Sequence, residues 1–119
     1  MNIVVLRGCL SSVPQLRTLA SGSVLWSLEV TTRSVDGALS VPVAWFDPPV
    51  VPAFAGGAEV VVVGTVRRRF FRTAVGTQSR TEVVAVEVLP VTARKRVQRA
   101  IARVAESLEA AGDLRVRSS

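Results

Sequence analysis

The chain has 119 residues, with 15 basic against nine acidic side chains and a formal net charge of +6. It contains no histidine and one cysteine, which excludes a Ser-His-Asp triad, a Cys-His pair and the usual zinc-ligand sets. We therefore expect a protein that is not an enzyme and has no metal, cofactor or small-molecule substrate. The excess of basic residues favours a polyanionic partner, nucleic acid rather than an anionic membrane surface, because the basic residues are not gathered on one helix opposite a Trp/Leu face. No apolar stretch is long enough for a signal sequence or a membrane span, so we expect a cytoplasmic protein, associated with the nucleoid if its polyanion is DNA.

Alternating apolar residues predict strands from the start of the chain. The first strand covers residues 2–10, where Gly8 marks a bend or bulge and Cys9 is expected to be buried as a small apolar side chain. Residues 11–22, which contain a proline and a Ser-Gly pair, are predicted to form a loop or a hairpin connection.

The next two strands are predicted to form a hairpin. Residues 24–32 and 39–46 alternate clearly, and the Asp-Gly pair at 36–37 is typical of a tight turn. Because neighbouring side chains of a strand point to opposite faces, one of Trp45 and Phe46 must face solvent or a partner.

A second long hairpin is predicted further along the chain. The proline-rich residues 47–57 form an irregular connection to a strand at 59–69. A loop at 74–79, built around Gly76, then leads to a partner strand at 80–89.

The apolar period changes after the last predicted strand. Apolar residues recur at helical spacing, which predicts an amphipathic helix over residues 92–111 with Thr92 as N-cap and Gly112 as its end. The final residues, 113–119, are expected to be frayed. Two arrangements of this helix are open. Either its apolar stripe packs on the barrel or on another subunit while its basic residues are solvated, or its basic residues extend a nucleic-acid path.

The whole pattern predicts a mainly β protein. Five strands with an early glycine bend close naturally into a five-stranded OB-fold barrel, followed by a C-terminal amphipathic α-helix. Residues 1–90 are predicted to form the OB-fold domain, and residues 91–119 the basic helix and frayed tail.

The segment Gly-Thr-Val-Arg-Arg-Arg-Phe-Phe-Arg at residues 64–72 has the clearest functional chemistry. It follows a run of valines that must be a buried strand. Guanidinium groups neutralise phosphates, and exposed aromatic rings stack on unpaired bases. The alternative is that the Phe pair fills a core while the arginines are simply solvated.

Several short segments resemble, in order, the bacterial single-stranded DNA-binding protein family. Residues 2–10, Asn-Ile-Val-Val-Leu-Arg-Gly-Cys-Leu, are similar to its first strand, Asn-x-Val-x-Leu-x-Gly-x-Leu. The other matching blocks are Pro-Gln-Leu-Arg at 14–17, Ser-Gly at 21–22, Trp-Ser-Leu at 26–28, Gly-Thr-Val-Arg-Arg-Arg-Phe-Phe at 64–71 and Arg-Thr-Glu-Val at 80–83.

The resemblance implies an OB fold that binds single-stranded DNA in replication, repair or recombination. It also implies a homo-oligomer, a tetramer as in family members or else a dimer. Phe71 matches the family's stacking Trp at the end of the fourth strand, and Trp45 lies near its stacking aromatic at the end of the third. Leu39 replaces another stacking Trp, and the family's acidic C-terminal tip has no counterpart, which implies a divergent, short paralogue.

These arguments together give a set of candidate binding residues. The candidate phosphate contacts are Arg67, Arg68, Arg69, Arg72 and Arg80, with Arg17 and Arg33 as weaker candidates. The candidate stacking residues are Trp45, Phe54, Phe70 and Phe71. An OB module that binds RNA, and a protein-interaction or assembly module that has lost strand binding, are the alternative functions.

Overall fold

The computed structural model describes residues 1–118, with side chains described through Ala111. The chain forms β1 (Val4–Leu10), β2 (Gln15–Thr18), β3 (Val24–Ser34), β4 (Gly37–Phe46), β5 (Glu59–Thr73), β6 (Gly76–Pro90) and α1 (Arg94–Ser118).

Five of the strands close into a barrel. Their order is β1-β5-β6-β4-β3, and β1 pairs with β3 to complete the circle. The pairing of β4 with β6 is parallel and the other pairings are antiparallel, which is the OB topology. The predicted five-stranded OB-fold barrel with a C-terminal helix is therefore confirmed. The predicted connection at 11–22 contains the short strand β2, which adds to the free edge of β3.

Two glycines allow strands to approach closely where the barrel bends. A Cβ on Gly8 would lie 2.3 Å from the carbonyl oxygen of Thr31, at the point where β1 changes its partner from β5 to β3. A Cβ on Gly64 would lie 2.2 Å from the carbonyl oxygen of Val84, beside the register shift between β5 and β6. Both contacts are far shorter than van der Waals distance, so only glycine fits at these two positions.

The core fills the barrel with side chains from all five closing strands. Its members are Leu10, Leu28, Val30, Val43, Trp45, Val60, Val62, Val83, Ala85 and Val88. The expectation that Cys9 is buried is wrong, because its neighbours Gly8 and Leu10 face inward and the alternation of β1 turns Cys9 outward. Residues 47–58 connect β4 to β5 without a helix or strand, as predicted.

The two predicted hairpins are present, but the second is longer than expected. β5 and β6 remain paired as far as Thr73 and Gly76, so the turn contains only Ala74 and Val75 instead of the predicted loop at 74–79. The hairpin therefore extends beyond the barrel. We call residues 66–81, all of which are exposed, the arm.

The C-terminal helix contacts the barrel through a small part of its surface. The carbonyl of Ala93 accepts a hydrogen bond from the amide of Val97 at 3.0 Å, so Ala93 and not Thr92 is the N-cap. The predicted end at Gly112 is wrong as well, since the helix continues to Ser118 and includes all but the last of the residues expected to be frayed. A single glycine costs a helix only about 1 kcal/mol, which the neighbouring turns can offset. The described residues contain no helix that is both long and apolar enough to cross a membrane.

Candidate nucleic-acid interface

The arm concentrates positive charge on an extended surface. Residues 66–81 include five arginines and no acidic residue. The side chains of Phe70 and Phe71 are 66% and 38% exposed, respectively. The alternative that the Phe pair fills the core is therefore wrong, and both rings are accessible to a ligand.

The alternation of β5 divides the arm into two faces. The first, which we call the outer face, contains Arg67, Arg69 and Phe71. The opposite face contains Arg68, Phe70 and Arg72. The six side chains therefore do not form one cluster, although they are consecutive in sequence. On β5, each face therefore has two guanidinium groups and one aromatic ring.

The outer face is continuous with the outside of the barrel. The guanidinium carbon of Arg67 lies 5.2 Å from the ring centroid of Phe46, at the end of β4. The guanidinium carbon of Arg69 lies 5.8 Å from the ring centroid of Phe71. Both distances are typical of cation–π contacts. The first contact is to a ring on the barrel, and the second is to a ring on the arm.

Glu82 anchors the two arginines of this face. Its carboxylate is buried and lies 3.6 Å from Nη2 of Arg67 and 3.1 Å from Nε of Arg69. The contact to Arg69 has ion-pair distance but not hydrogen-bond alignment, which leaves Oε1 without a hydrogen bond among the described residues. Glu82 therefore holds both guanidinium groups on the outer face by charge. Sequence reasoning missed this role because it treated Glu82 only as a strand residue.

Two further arginines belong to the same surface. Arg80 lies directly opposite Arg69 in the register of β5 and β6, so their side chains share the outer face. Like charges in such a pair are destabilising, and the Glu82 carboxylate 3.1 Å from Arg69 offsets part of that repulsion. On the barrel, the register aligns Arg17 of β2 with Leu25 of β3 and Phe46 of β4, which places all three side chains on one face.

Three candidates lie elsewhere. Trp45 is only 9% exposed and belongs to the core, so little of its ring is available for stacking. Phe54 packs against the core, and it lines a cleft of about 600 Å³ below α1 together with Trp45 and with Arg96, Arg99 and Arg103 of the helix. Arg33 lines a separate cleft of about 490 Å³ beside β1.

Phe46 is the binding candidate that sequence reasoning passed over. The alternation of β4 requires one of Trp45 and Phe46 to face outward, and Trp45 was chosen because of its place in the family resemblance. The alternation of apolar residues along β4 already indicated that Phe46, and not Trp45, faces outward. Val43 and Trp45 have the same parity and both face the core, so Phe46 must face outward.

No family model matches the chain, and a search of curated proteins finds no match. Among the residues that the structure describes, no three His, Cys, Asp or Glu side chains are placed to hold a metal ion.

Proposed function

We propose that this protein binds unpaired nucleic acid, and single-stranded DNA in particular, without sequence specificity. The binding surface is the outer face of the arm together with the adjoining faces of β3 and β4. The observation that supports it most is the continuous series of contacts from Phe46 through Arg67, Glu82 and Arg69 to Phe71. Basic side chains interleaved with accessible rings suit a strand whose phosphates and bases are both available.

The position of this surface on the barrel supports the same function. OB folds commonly bind oligonucleotides on their second and third strands, with help from the connections before the second strand and between the last two. In this chain β3 and β4 are the second and third strands of the closed barrel, and the arm is the last connection. Arg17 lies in the connection before β3.

Charge and stacking contribute differently to the proposed binding. The three arginines of the arm's outer face (Arg67, Arg69 and Arg80) and the adjoining Glu82 have a combined charge of about +2. Each neutralised phosphate of a single strand changes the slope of log K against log salt by about −0.7. The arm should therefore contribute about −1.4 to that slope. Stacking adds about 1–3 kcal/mol per base and depends little on salt.

A pair of double variants tests the proposed surface. R69A/F71A removes one arginine and one phenylalanine from the outer face, and F70A/R72A removes the same two residue types from the opposite face. We expect the outer variant to lose about 2–4 kcal/mol of binding free energy, which is roughly thirtyfold or more in affinity, from one stacking contact and one phosphate contact. Fluorescence anisotropy of labelled oligo(dT) measures this loss.

The two variants have the same change in charge and in aromatic content, so the opposite-face variant is the matched control. Equal losses in both would contradict the assignment of the surface to the outer face. If the unmodified protein leaves the anisotropy of oligo(dT) unchanged at low salt, the proposed function itself is wrong. Competition with oligo(U) of the same length then distinguishes a preference for DNA from one for RNA.

We also propose that the protein acts as a homo-oligomer, since coating a strand benefits from several linked binding surfaces. Exposed apolar side chains outside the arm support this proposal, among them Ile101 and Leu108 of α1. A protein-interaction module without strand binding is the competing function, and the anisotropy measurement separates the two.

A further inference from the structure

The helix α1 is amphipathic, but the barrel covers only one edge of its apolar stripe. Ala100 is buried, and the guanidinium of Arg103 donates a hydrogen bond of 2.7 Å to Glu87 of β6. On the other edge of the stripe, Ile101 is 42% exposed and Leu108 is 53% exposed. The helix therefore has an apolar face with no partner among the described residues.

That exposed face has the spacing of a helix-pairing surface. Positions separated alternately by four and three residues lie on one side of a helix. Here they are Arg94, Gln98, Ile101, Ala105 and Leu108, with Glu109 beside the last of them. Over residues 94–111 the face is apolar at its centre, basic at its first end and acidic near position 109.

The charge pattern of residues 94–111, the part of α1 that an antiparallel partner would meet, is complementary to itself in reverse. Every charged residue from 94 to 103 is basic, and both charged residues from 104 to 111 are acidic. A parallel neighbour would place arginines beside arginines. An antiparallel neighbour centred on Ile101 places Arg94 of each helix beside Glu109 of the other, which satisfies both charges.

The first turn of α1 provides a second argument for such a neighbour. It contains no acidic residue, and it contains Arg94, Lys95 and Arg96 at the end where the helix dipole is positive. This arrangement is unfavourable for an isolated helix. Carboxylates from an antiparallel helix would neutralise that end.

We propose that two copies of this chain associate through antiparallel packing of α1 on α1, with the Ile101 side chains at the centre. This helix pair is the contact surface of the proposed homo-oligomer, and it forms without nucleic acid. Centred on Ile101, the two helices overlap from residue 94 to residue 108, which is about 22 Å at about 1.5 Å per residue. Such a contact is small for a stable interface, so we expect a dimer that dissociates on dilution.

Charge reversal tests both the contact and its direction. In the full-length chain without nucleic acid, R94E alone and E109R alone should each shift the apparent mass toward the monomer in concentration-dependent sedimentation. The double variant R94E/E109R should restore the dimer, because it reverses both ends of each pair. K95E makes the same charge change as R94E on a different side of the helix, and it should leave self-association nearly unchanged.

Cysteine crosslinking gives an independent readout of direction. In a Cys9→Ser background, I101C should form a disulfide-linked dimer, and L108C should not, since antiparallel packing separates the two Leu108 positions. Crosslinking through both positions would indicate parallel packing and overturn the proposal. A monomer at all concentrations, or a double charge reversal without recovery, would overturn it as well. These measurements are made without nucleic acid. The dimer can therefore be refuted while the proposed strand binding holds, and strand binding can be refuted while the dimer holds.

Discussion

Replacing Glu82 by glutamine should change how strongly the arm responds to salt. Glutamine has nearly the same shape as glutamate but no charge, so E82Q removes the counter-charge that lies 3.1 Å from Arg69 and 3.6 Å from Arg67. The net charge of the outer face rises by one. One more guanidinium then becomes available to a phosphate of the bound strand.

The magnitude follows from counterion release. One additional phosphate contact should make the slope of log K against log salt steeper by about 0.7, and at about 0.1 M salt this corresponds to a fivefold gain in affinity. Loss of the ion pairs opposes the gain, because the guanidiniums become less ordered. The arginine side chains are 42% and 43% exposed, so solvent screens both pairs from that side, and a neutral amide avoids the desolvation cost of the Glu82 carboxylate, which is only 7% exposed. The net loss should therefore be small, about 1 kcal/mol. We therefore expect tighter binding at low salt.

The assay is a salt series of oligo(dT) titrations followed by fluorescence anisotropy, with urea denaturation to verify that the variant folds. Glu59 provides the matched control, because it forms an ion pair with Arg7 at 3.1 Å at the other end of β5. E59Q changes the total charge equally but leaves the arm intact. An unchanged slope in E82Q, or an equal change in E59Q, would refute the argument that Glu82 restrains the phosphate-binding arginines.

Two further predictions concern stability, and urea denaturation measures both. Gly64→Ala should lower the free energy of unfolding by about 2 kcal/mol or more, because its Cβ would overlap the carbonyl of Val84, whereas Gly56→Ala, with no neighbour closer than 3.8 Å, should have little effect. Similar losses in both variants would contradict the close approach of β5 and β6. Trp45→Ala should cost about 3–5 kcal/mol as a core truncation and should leave oligo(dT) affinity of the folded protein unchanged. A large loss of affinity with little loss of stability would instead assign Trp45 to the binding surface.

Local patterns in the sequence were sufficient to predict the barrel. Alternating valines, a tight Asp-Gly turn and the proline-rich stretch at 47–57 each act over a few residues, and together they identify the strands and their connections. The chemistry of the arm was equally evident, because consecutive arginines and phenylalanines after a buried strand are visible without coordinates. The strand β2 was missed, because its four residues are all exposed and it lacks an apolar face.

The tertiary structure decided which of these side chains act together. Arg67 meets Phe46 and Glu82 only because β4, β5 and β6 pair in a particular register, and residues far apart in sequence set that register. The same pairing places Arg69 and Phe71 on one face of the arm and Phe70 on the other. The apolar alternation of a strand such as β4 indicates which of its faces is inside, but only the fold determines which outward-facing side chains of different strands meet.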